Sequence, residues 1–342
     1  MIMDRKKYIN ELKFGLKNAK KDEIYIDLCV NYANKLIDNN LPVIFDIEHF
    51  CLLIGINKNI LNRILYSEDS FYKNVKIPKK NGDIRELSIP SLPLKSMQRW
   101  ILDNILYNIP ISKFAMGFCR KKSIVTNASQ HIGKQCVINI DIKDFFPSIK
   151  IKKIFNIFYY YGYTKEISFL LSKLCCYKGM LPQGSPSSPH LSNIASLKID
   201  KRISKLVKKY NADYSRYADD ITISGNYGII KCKDIIKRIL EEEGFSINNK
   251  KTRVLYKHQR QEVTGIIVNN NKITVGRKYK RKLMQEIYFC LKFGFKNHLE
   301  KININRKFYK EYLYGKAYFV NMIEPEYAKN IFKLLDKIDW DY

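Results

Sequence analysis

Two apolar, β-branched runs that each end in acid constrain this chain more than any other feature. The first is Val137-Ile138-Asn139-Ile140-Asp141, and the second spans residues 213–225 around Tyr217-Ala218-Asp219-Asp220. The first reads as one strand and the second as two strands meeting at the acidic dipeptide. Three carboxylates gathered at the ends of apolar strands repel one another, and the repulsion raises their pKa values unless cations neutralise it. Their oxygens, joined by the backbone carbonyl of Ile142, form a hard ligand set suited to magnesium, with manganese as a substitute. Two such ions about 3.5–4 Å apart would activate an attacking hydroxyl and stabilise departing pyrophosphate, which is phosphoryl-transfer chemistry. The competing reading of Asp219-Asp220 is an ordinary acidic turn, because Asp is favoured in turns.

The charge balance also points to a polyanion. Lys and Arg number 61 against 33 Asp and Glu, a net charge of +28 over 342 residues, far more than solubility demands. Nucleic acid is the first expectation; an anionic membrane surface, or a codon bias with no polyanion behind it, are the alternatives. No apolar run approaches the roughly 20 residues that span a bilayer, so a soluble globular protein is expected, and with nucleic acid favoured over a membrane surface no membrane partner is expected. The beginning of the chain is charged at Asp4, Arg5, Lys6 and Lys7, unlike a secretory leader. The eight cysteines include no Cys-x-x-Cys pair and read as reduced, mostly buried thiols, which makes a cytoplasmic protein the expectation.

Apolar spacing predicts a mainly helical extension over residues 6–65, with Ile9, Leu12 and Leu16 on one face and Leu52, Leu53, Ile56, Ile60 and Ile64 on another. Residues 75–90 alternate around Asn81-Gly82-Asp83 and predict a hairpin with a cationic tip, followed by a helix over 94–107. A helix over 231–244 and a strand over 254–268 complete an α+β pattern with an antiparallel sheet. Residues 272–316 hold thirteen Lys or Arg against three Glu, and Leu283, Ile287, Leu291 and Gly294 mark one face, so this stretch reads as a basic helical appendage.

Tyr217-Ala218-Asp219-Asp220, with Asp141-Ile142-Lys143-Asp144-Phe145-Phe146 upstream, resembles the catalytic motifs of reverse transcriptases. Further blocks follow in that family's order. Arg85-Glu-Leu-Ser-Ile-Pro90 with Gln98-Arg99 resembles the fingers, residues 181–189 around Gln183-Gly184 the template-and-nucleotide loop, and residues 244–252 the lysine-bearing loop. The resemblance covers roughly residues 75–270. It implies a right-hand polymerase: a helical extension over 1–70, fingers over 71–135, a palm over 136–270 with a fingers insertion near 150–180, and a basic helical thumb over 271–342. It also implies an RNA-directed DNA polymerase that consumes dNTPs.

Single residues acquire expected roles through this resemblance. Phe146 would lie under the sugar and exclude a 2′-hydroxyl, with Asp144 beside it, while Phe145 fills the core; the alternative puts both rings in the core. Gln183 and Gly184 would approach the nucleotide through exposed backbone N–H groups. Lys79 or Lys80, with Arg85, would clamp the triphosphate. Lys251 is the candidate proton donor to pyrophosphate; otherwise it is a solvated lysine.

Two shorter blocks, Asn127-Ala128-Ser129-Gln130-His131 and Val263-Thr264-Gly265, are similar to motifs of retron reverse transcriptases. Taken alone, His131 would read as a satisfied structural histidine and Val263-Thr264-Gly265 as a strand with a bulge glycine. The retron resemblance implies a cognate structured non-coding RNA that serves as template and as primer, through the 2′-hydroxyl of a guanosine. The product would be RNA-linked single-stranded DNA, made in phage defence beside an effector protein encoded nearby. Lys278, Lys280, Arg281 and Lys282, with Tyr279 and Tyr288, would read that RNA. Abortive-infection or group II intron-like reverse transcriptases, and a catalytically idle RNA-binding scaffold, are the alternative readings.

Overall fold

The computed structural model describes residues 5–78, 82–301 and 308–340, which divide into two units interleaved along the chain. One comprises Met1–Phe118, Ile142–Lys201 and Ile239–Ser246; the other comprises Cys119–Asp141, Arg202–Arg238 and Ile247–Tyr342. Secondary structure is mixed helix and antiparallel sheet, as the α+β pattern predicts. No helix among the described residues is long and apolar enough to cross a membrane.

In the first unit the expected helical extension forms as Arg5–Asn18, Glu23–Asp38, Ile47–Ile54 and Lys58–Tyr66. Side-chain caps define the starts of the last three: Asp22, Asp46 and Asn57 accept backbone N–H groups of the first turn. Strands β1 (Tyr72–Pro78) and β2 (Ile84–Pro90) pair antiparallel from Tyr72↔Pro90 to Pro78↔Ile84. Lys79, Lys80 and Asn81, on the predicted cationic tip, lie outside the described residues.

Helix Leu92–Asn104 then brings Gln98 into the core, fully buried. Its amide donates to the Tyr72 hydroxyl at 2.9 Å and the Leu174 carbonyl at 2.8 Å, and its oxygen accepts from Ser185 Oγ at 2.8 Å. This satisfied amide ties the Pro/Gly/Ser loop to the helices beneath it. The loop also closes on β2, where Ser88 N–H donates to the Gln183 carbonyl at 2.7 Å. Gly184 is required there: its φ is +124°, and a Cβ would stand 2.7 Å from the Ser88 carbonyl oxygen.

The second unit is organised by β3 (Cys136–Lys143), β4 (Asp213–Tyr217) and β5 (Asp220–Gly225). The sheet order is β4-β5-β3, extended by β6 (Ser246–Ile247), with β7 (Arg253–Tyr256) also pairing with β3. Successive side chains of a strand face opposite ways, so the register sorts this sheet into two faces. Ile138, Ile140, Ile221, Ile223 and Tyr214 make one face, all buried. Asn139, Asp141, Asp220, Thr222, Ser224 and Ser215 make the other. Helix Cys232–Glu242 follows β5 as predicted.

The predicted single strand over 254–268 is instead three short ones: β7, β8 (Glu262–Val263) and β9 (Ile266–Ile267). Glu262 pairs with Ile267 and Val263 with Ile266, which leaves Thr264-Gly265 as a two-residue hairpin turn. Both turn residues have positive φ, +48° and +85°, as a type I′ hairpin turn requires. Gly265 is therefore a turn residue and not a bulge. Thr264 is β-branched and pays for this conformation with backbone strain of about 1–3 kcal/mol.

Val263, Ile266, Val268 and Ala128 belong to one buried cluster with Leu283, Ile287, Cys290, Leu313, Ala317 and Ile331. The hairpin thus shares a core with helices Arg277–Phe293, Tyr309–Ile323 and Pro325–Leu335. On Arg277–Phe293 the buried face runs through Cys290, whereas Leu291 is exposed and Gly294 caps the helix. At 100° per residue Cys290 lies about 20° from Leu283 around the axis and Leu291 about 80°.

His131 is fully buried on the polar face of the sheet, where its ring nitrogens meet Ser224 Oγ and Ser215 Oγ, each at 2.7 Å. Burial lowers its pKa from 6.5 to about 4, with Asp213 opposing the shift and Lys134 adding to it. The neutral ring donates from one nitrogen and accepts at the other. Because the folded-state pKa lies below the unfolded one, the unfolded chain binds more protons between pH 6.5 and about 4, and stability falls as pH drops through that window. Urea midpoints at pH 7 and pH 5 should show the wild type losing about 2 kcal/mol more than a folded His131→Gln variant. Equal losses would mean that folding does not depress the His131 pKa and that the ring is charged in the folded protein at pH 5.

Candidate active site

Asp141 and Asp220 face each other directly across the β3–β5 ladder. Directly opposed residues carry their Cβ atoms about 4.5–5.5 Å apart on the same face of the sheet. Asp219 occupies the second position of the two-residue turn that joins β4 to β5, since Tyr217 pairs with Asp220. Ala218, the first position, has φ +57°, the sign that primed hairpin turns need there. Sequence reasoning missed what holds this turn: Arg216, fully buried on the apolar face, donates from Nη1 to the Ala218 carbonyl at 3.1 Å.

The electrostatics match the crowding. The Asp220 carboxyl is pushed up to about 6 by burial first, then by the negative charges of Asp219 and Asp141, with Lys251 opposing. Asp141 is buried and its carboxylate accepts from Lys251 Nζ at 3.0 Å. That hydrogen bond, ahead of the acids' combined charge, raises the Lys251 pKa. The loop that carries Lys251 is anchored to the same residue, because Asn248 N–H donates to the Asp141 carbonyl at 2.8 Å. Thr252 N–H and Oγ1 then both donate to the Asn248 carbonyl, which curls the lysine back toward the acid.

No three His, Cys, Asp or Glu side chains among the described residues are arranged to enclose one metal ion. The donor set still fits a hard divalent cation: three neighbouring carboxylates, one with its charged form disfavoured, and a lysine ammonium already drawn to them. Ile142 follows Asp141 on β3 with its side chain buried.

A cleft of about 450 Å³ opens beside the acids. Asp141, Asp220 and Lys251 line it together with Arg253, Arg260 and the Thr264-Gly265 turn. Across the polar face Thr222 donates to Asn139 Oδ1 at 3.3 Å, and Asn139 Nδ2 donates to the Glu262 carbonyl at 2.8 Å, which ties β8 to the sheet. Arg260 pairs with Glu262 at 2.7 Å and lies against Gly276, where an added Cβ would stand 2.9 Å from its guanidinium. Asn139, two residues before Asp141, was recoverable from strand period; Arg253 and Arg260 carried no signal beyond general basicity.

The remaining expected residues fall into two groups. In the first unit Phe145 is buried against Phe245, whereas Phe146 is half-buried, touching Phe118 and Phe145. Asp144 is exposed with φ +47°, and Arg85 is exposed on β2. In the second unit Asn127 and His131 are both buried. Asn127 Nδ2 donates to Thr264 Oγ1 at 3.4 Å, which brings the two short motifs together. Lys278, Arg281 and Lys282 are exposed on helix Arg277–Phe293. Lys280 differs: Glu324 holds its ammonium at 2.9 and 3.1 Å, and that carboxylate also accepts Val275 N–H. Lys280 therefore ties the beginning of its helix to the end of Tyr309–Ile323.

Comparison with known proteins agrees with this geometry. The family model described as reverse transcriptase (RNA-dependent DNA polymerase) matches residues 77–268, nearly the span of the sequence resemblance. Retron Ec86 reverse transcriptase of Escherichia coli is 34% identical over 86% of this chain and 95% of its own length. Two relatives from Myxococcus xanthus are similar: retron Mx65 reverse transcriptase, 30% identical over 76% of this chain and 63% of its own, and retron Mx162 reverse transcriptase, 29% identical over 88% and 68%. These matches favour the retron branch over the abortive-infection and intron-like alternatives, and a polymerase over an idle scaffold. The chain belongs to the bacterial retron reverse transcriptases and is an RNA-directed DNA polymerase of the right-hand fold.

Proposed function

We propose that this enzyme copies a cognate structured non-coding RNA into single-stranded DNA that remains joined to it, priming from the 2′-hydroxyl of a guanosine. The observation that carries the reading is the register of Asp141 opposite Asp220, with Asp219 at the adjoining turn, beside a cleft lined by Arg253 and Arg260. In each step a hydroxyl oxygen, the guanosine 2′-oxygen first and the 3′-oxygen of the growing DNA thereafter, gives up its proton to solvent and bonds to the α-phosphorus of a dNTP, the bond from that phosphorus to the bridging oxygen breaks, and pyrophosphate leaves. Asp141, Asp219 and Asp220, with the Ile142 carbonyl, would hold two magnesium or manganese ions. When bound, these supply Lewis-acid activation of the hydroxyl and neutralise the leaving group.

The chain's own groups do the rest. Lys251 keeps its proton while it rests on Asp141 and is the candidate to deliver it to departing pyrophosphate once released from that carboxylate. Phe146, half-buried where Phe145 is not, is the candidate sugar gate, with Asp144 beside it. Arg85, with Lys79 and Lys80, and the Gln183-Gly184 backbone would bind the triphosphate. Residues 1–70, 71–135, 136–270 and 271–342 serve as extension, fingers, palm and thumb. The exposed Lys278, Arg281 and Lys282, with Tyr288 on the same helix, would meet RNA phosphates and stacked bases. The setting we infer is the bacterial cytoplasm, in phage defence with an effector protein encoded nearby.

Asp141→Asn and Asp219→Asn should each lower DNA synthesis on a primed RNA template by roughly 10²-fold or more without loss of thermal stability, because the amides also relieve repulsion. A folded variant that retains wild-type incorporation would remove that residue from the site. Phe146→Val should raise incorporation of ribonucleotides relative to deoxynucleotides, and an unchanged ratio in a folded variant would assign Phe146 to packing. Protein purified from cells carrying the native locus should retain one dominant RNA with DNA attached, through washes at salt that strips nonspecific RNA. Heterogeneous RNA without DNA would reject the cognate-RNA reading.

A further inference from the structure

The Ile124–Ser129 helix is six residues long, yet it touches both hairpins at the cleft. Its start is fixed by a capping box between Ser123 and Thr126, which leaves the helix with a defined orientation. Two side chains, Asn127 in the helix and His131 just beyond its end, then reach in different directions. His131 bridges Ser215 on β4 and Ser224 on β5, the two strands that end in the Tyr217–Asp220 turn. Asn127 reaches Thr264 in the turn between β8 and β9, and between them Ala128 is buried in the same cluster as Val263 and Ile266.

The polar groups involved are expensive to keep. His131 must stay neutral, Thr264 holds a backbone conformation that β-branched residues avoid, and Asn127 Oδ1 is buried with no hydrogen-bond partner. An apolar helix face could pack this core without any of them. What the polar groups add is direction, because hydrogen bonds fix strand and turn positions that hydrophobic contact leaves free to slide. Thr264 and Gly265 line the same cleft as Asp141 and Asp220, so the direction is imposed on the acids and on the turn at once.

We propose that the segment 124–131 positions the reaction: His131 sets the hairpin that carries Asp219 and Asp220, Asn127 sets the Thr264-Gly265 turn, and the two keep one mutual geometry in the cleft. Neither residue touches substrate; both are positioning residues. The proposal rests on Asp141, Asp219 and Asp220 being the catalytic acids. Small displacements are costly for an in-line transfer, where misplacement by an ångström lowers rate by up to about 10²-fold.

The test uses the full chain and single-nucleotide extension of a primed RNA template, with Asp219→Asn measured alongside. Combining His131→Leu with Ser215→Ala and Ser224→Ala removes the whole polar bridge and strands no buried partner of it. We expect kcat at least about tenfold below wild type, with KM for the dNTP within about twofold and an unchanged melting temperature. Wild-type kcat in that variant, beside an inactive Asp219→Asn, would overturn the role of His131. An active Asp219→Asn would reject the acid assignment and the proposal with it.

A second cycle keeps the question open to refutation if the triple variant does not fold. Asn127→Ala and Thr264→Val should each lower kcat by about fivefold, the double variant should fall no further, and Thr264→Ser, which keeps the hydroxyl, should lose less than Thr264→Val. Wild-type kcat in Asn127→Ala, or losses that multiply in the double variant, would overturn the coupling.

Discussion

Asp141 and Asp220 stand opposite one another in neighbouring antiparallel strands, with Asp219 one residue away at the turn, and three like charges at that spacing oppose folding. Much of the second unit can be understood as the means of holding them there. The β3–β5 ladder supplies the register, Arg216 satisfies a carbonyl of the turn from the buried side, and Asn248 anchors the Lys251 loop to the Asp141 backbone. Lys251 then brings the compensating charge. A mutual repulsion retained at this cost marks a place built to attract cations.

The sheet behind the acids has an unusual division of labour. Its apolar face buries isoleucines, while its polar face carries a chain of hydrogen bonds from Thr222 through Asn139 to the Glu262 carbonyl, and the His131 bridge beside it. Polar groups on a sheet face are normally solvated; here they fix β8 and His131, just past the Ile124–Ser129 helix, against it. The cleft is therefore framed by directional contacts, and its far rim, Thr264-Gly265, continues into the core that supports the basic helix Arg277–Phe293. The surfaces expected to meet RNA and the acids expected to carry out the chemistry share one scaffold within this unit.

How legible this was in the sequence depended on the range of the interaction. The acidic hairpin could be read because its signal is local: apolar runs of strand period interrupted by Tyr217-Ala218-Asp219-Asp220. The helical extension, marked by periodicity and by Asp and Asn caps, was legible for the same reason. The stretch over 254–268 misled because its β-branched and apolar ends, Val254-Leu255-Tyr256 and Ile266-Ile267-Val268, suggest one strand, and a strand with a bulge at Gly265 looks the same as a turn until pairing is known. Lys280 looked like its neighbours in a basic run, and only the approach of Glu324 from 44 residues away separates it from Lys278, Arg281 and Lys282. Asn127 and His131 stand out through family resemblance, but their hydrogen bonds with Thr264, Ser215 and Ser224 are long-range and leave no trace in spacing. Period two could have placed Asn139 beside Asp141, whereas nothing local announces a buried Arg216.

If the acids are held together to receive divalent cations, binding should relieve the repulsion and stabilise the folded chain, in proportion to occupancy and independently of turnover. The direct measurement is the melting temperature of the wild type and of Asp141→Asn across a magnesium titration at constant ionic strength. The account predicts a saturable rise for the wild type that is lost in the variant. An equal rise in both proteins, or none in the wild type, would contradict it.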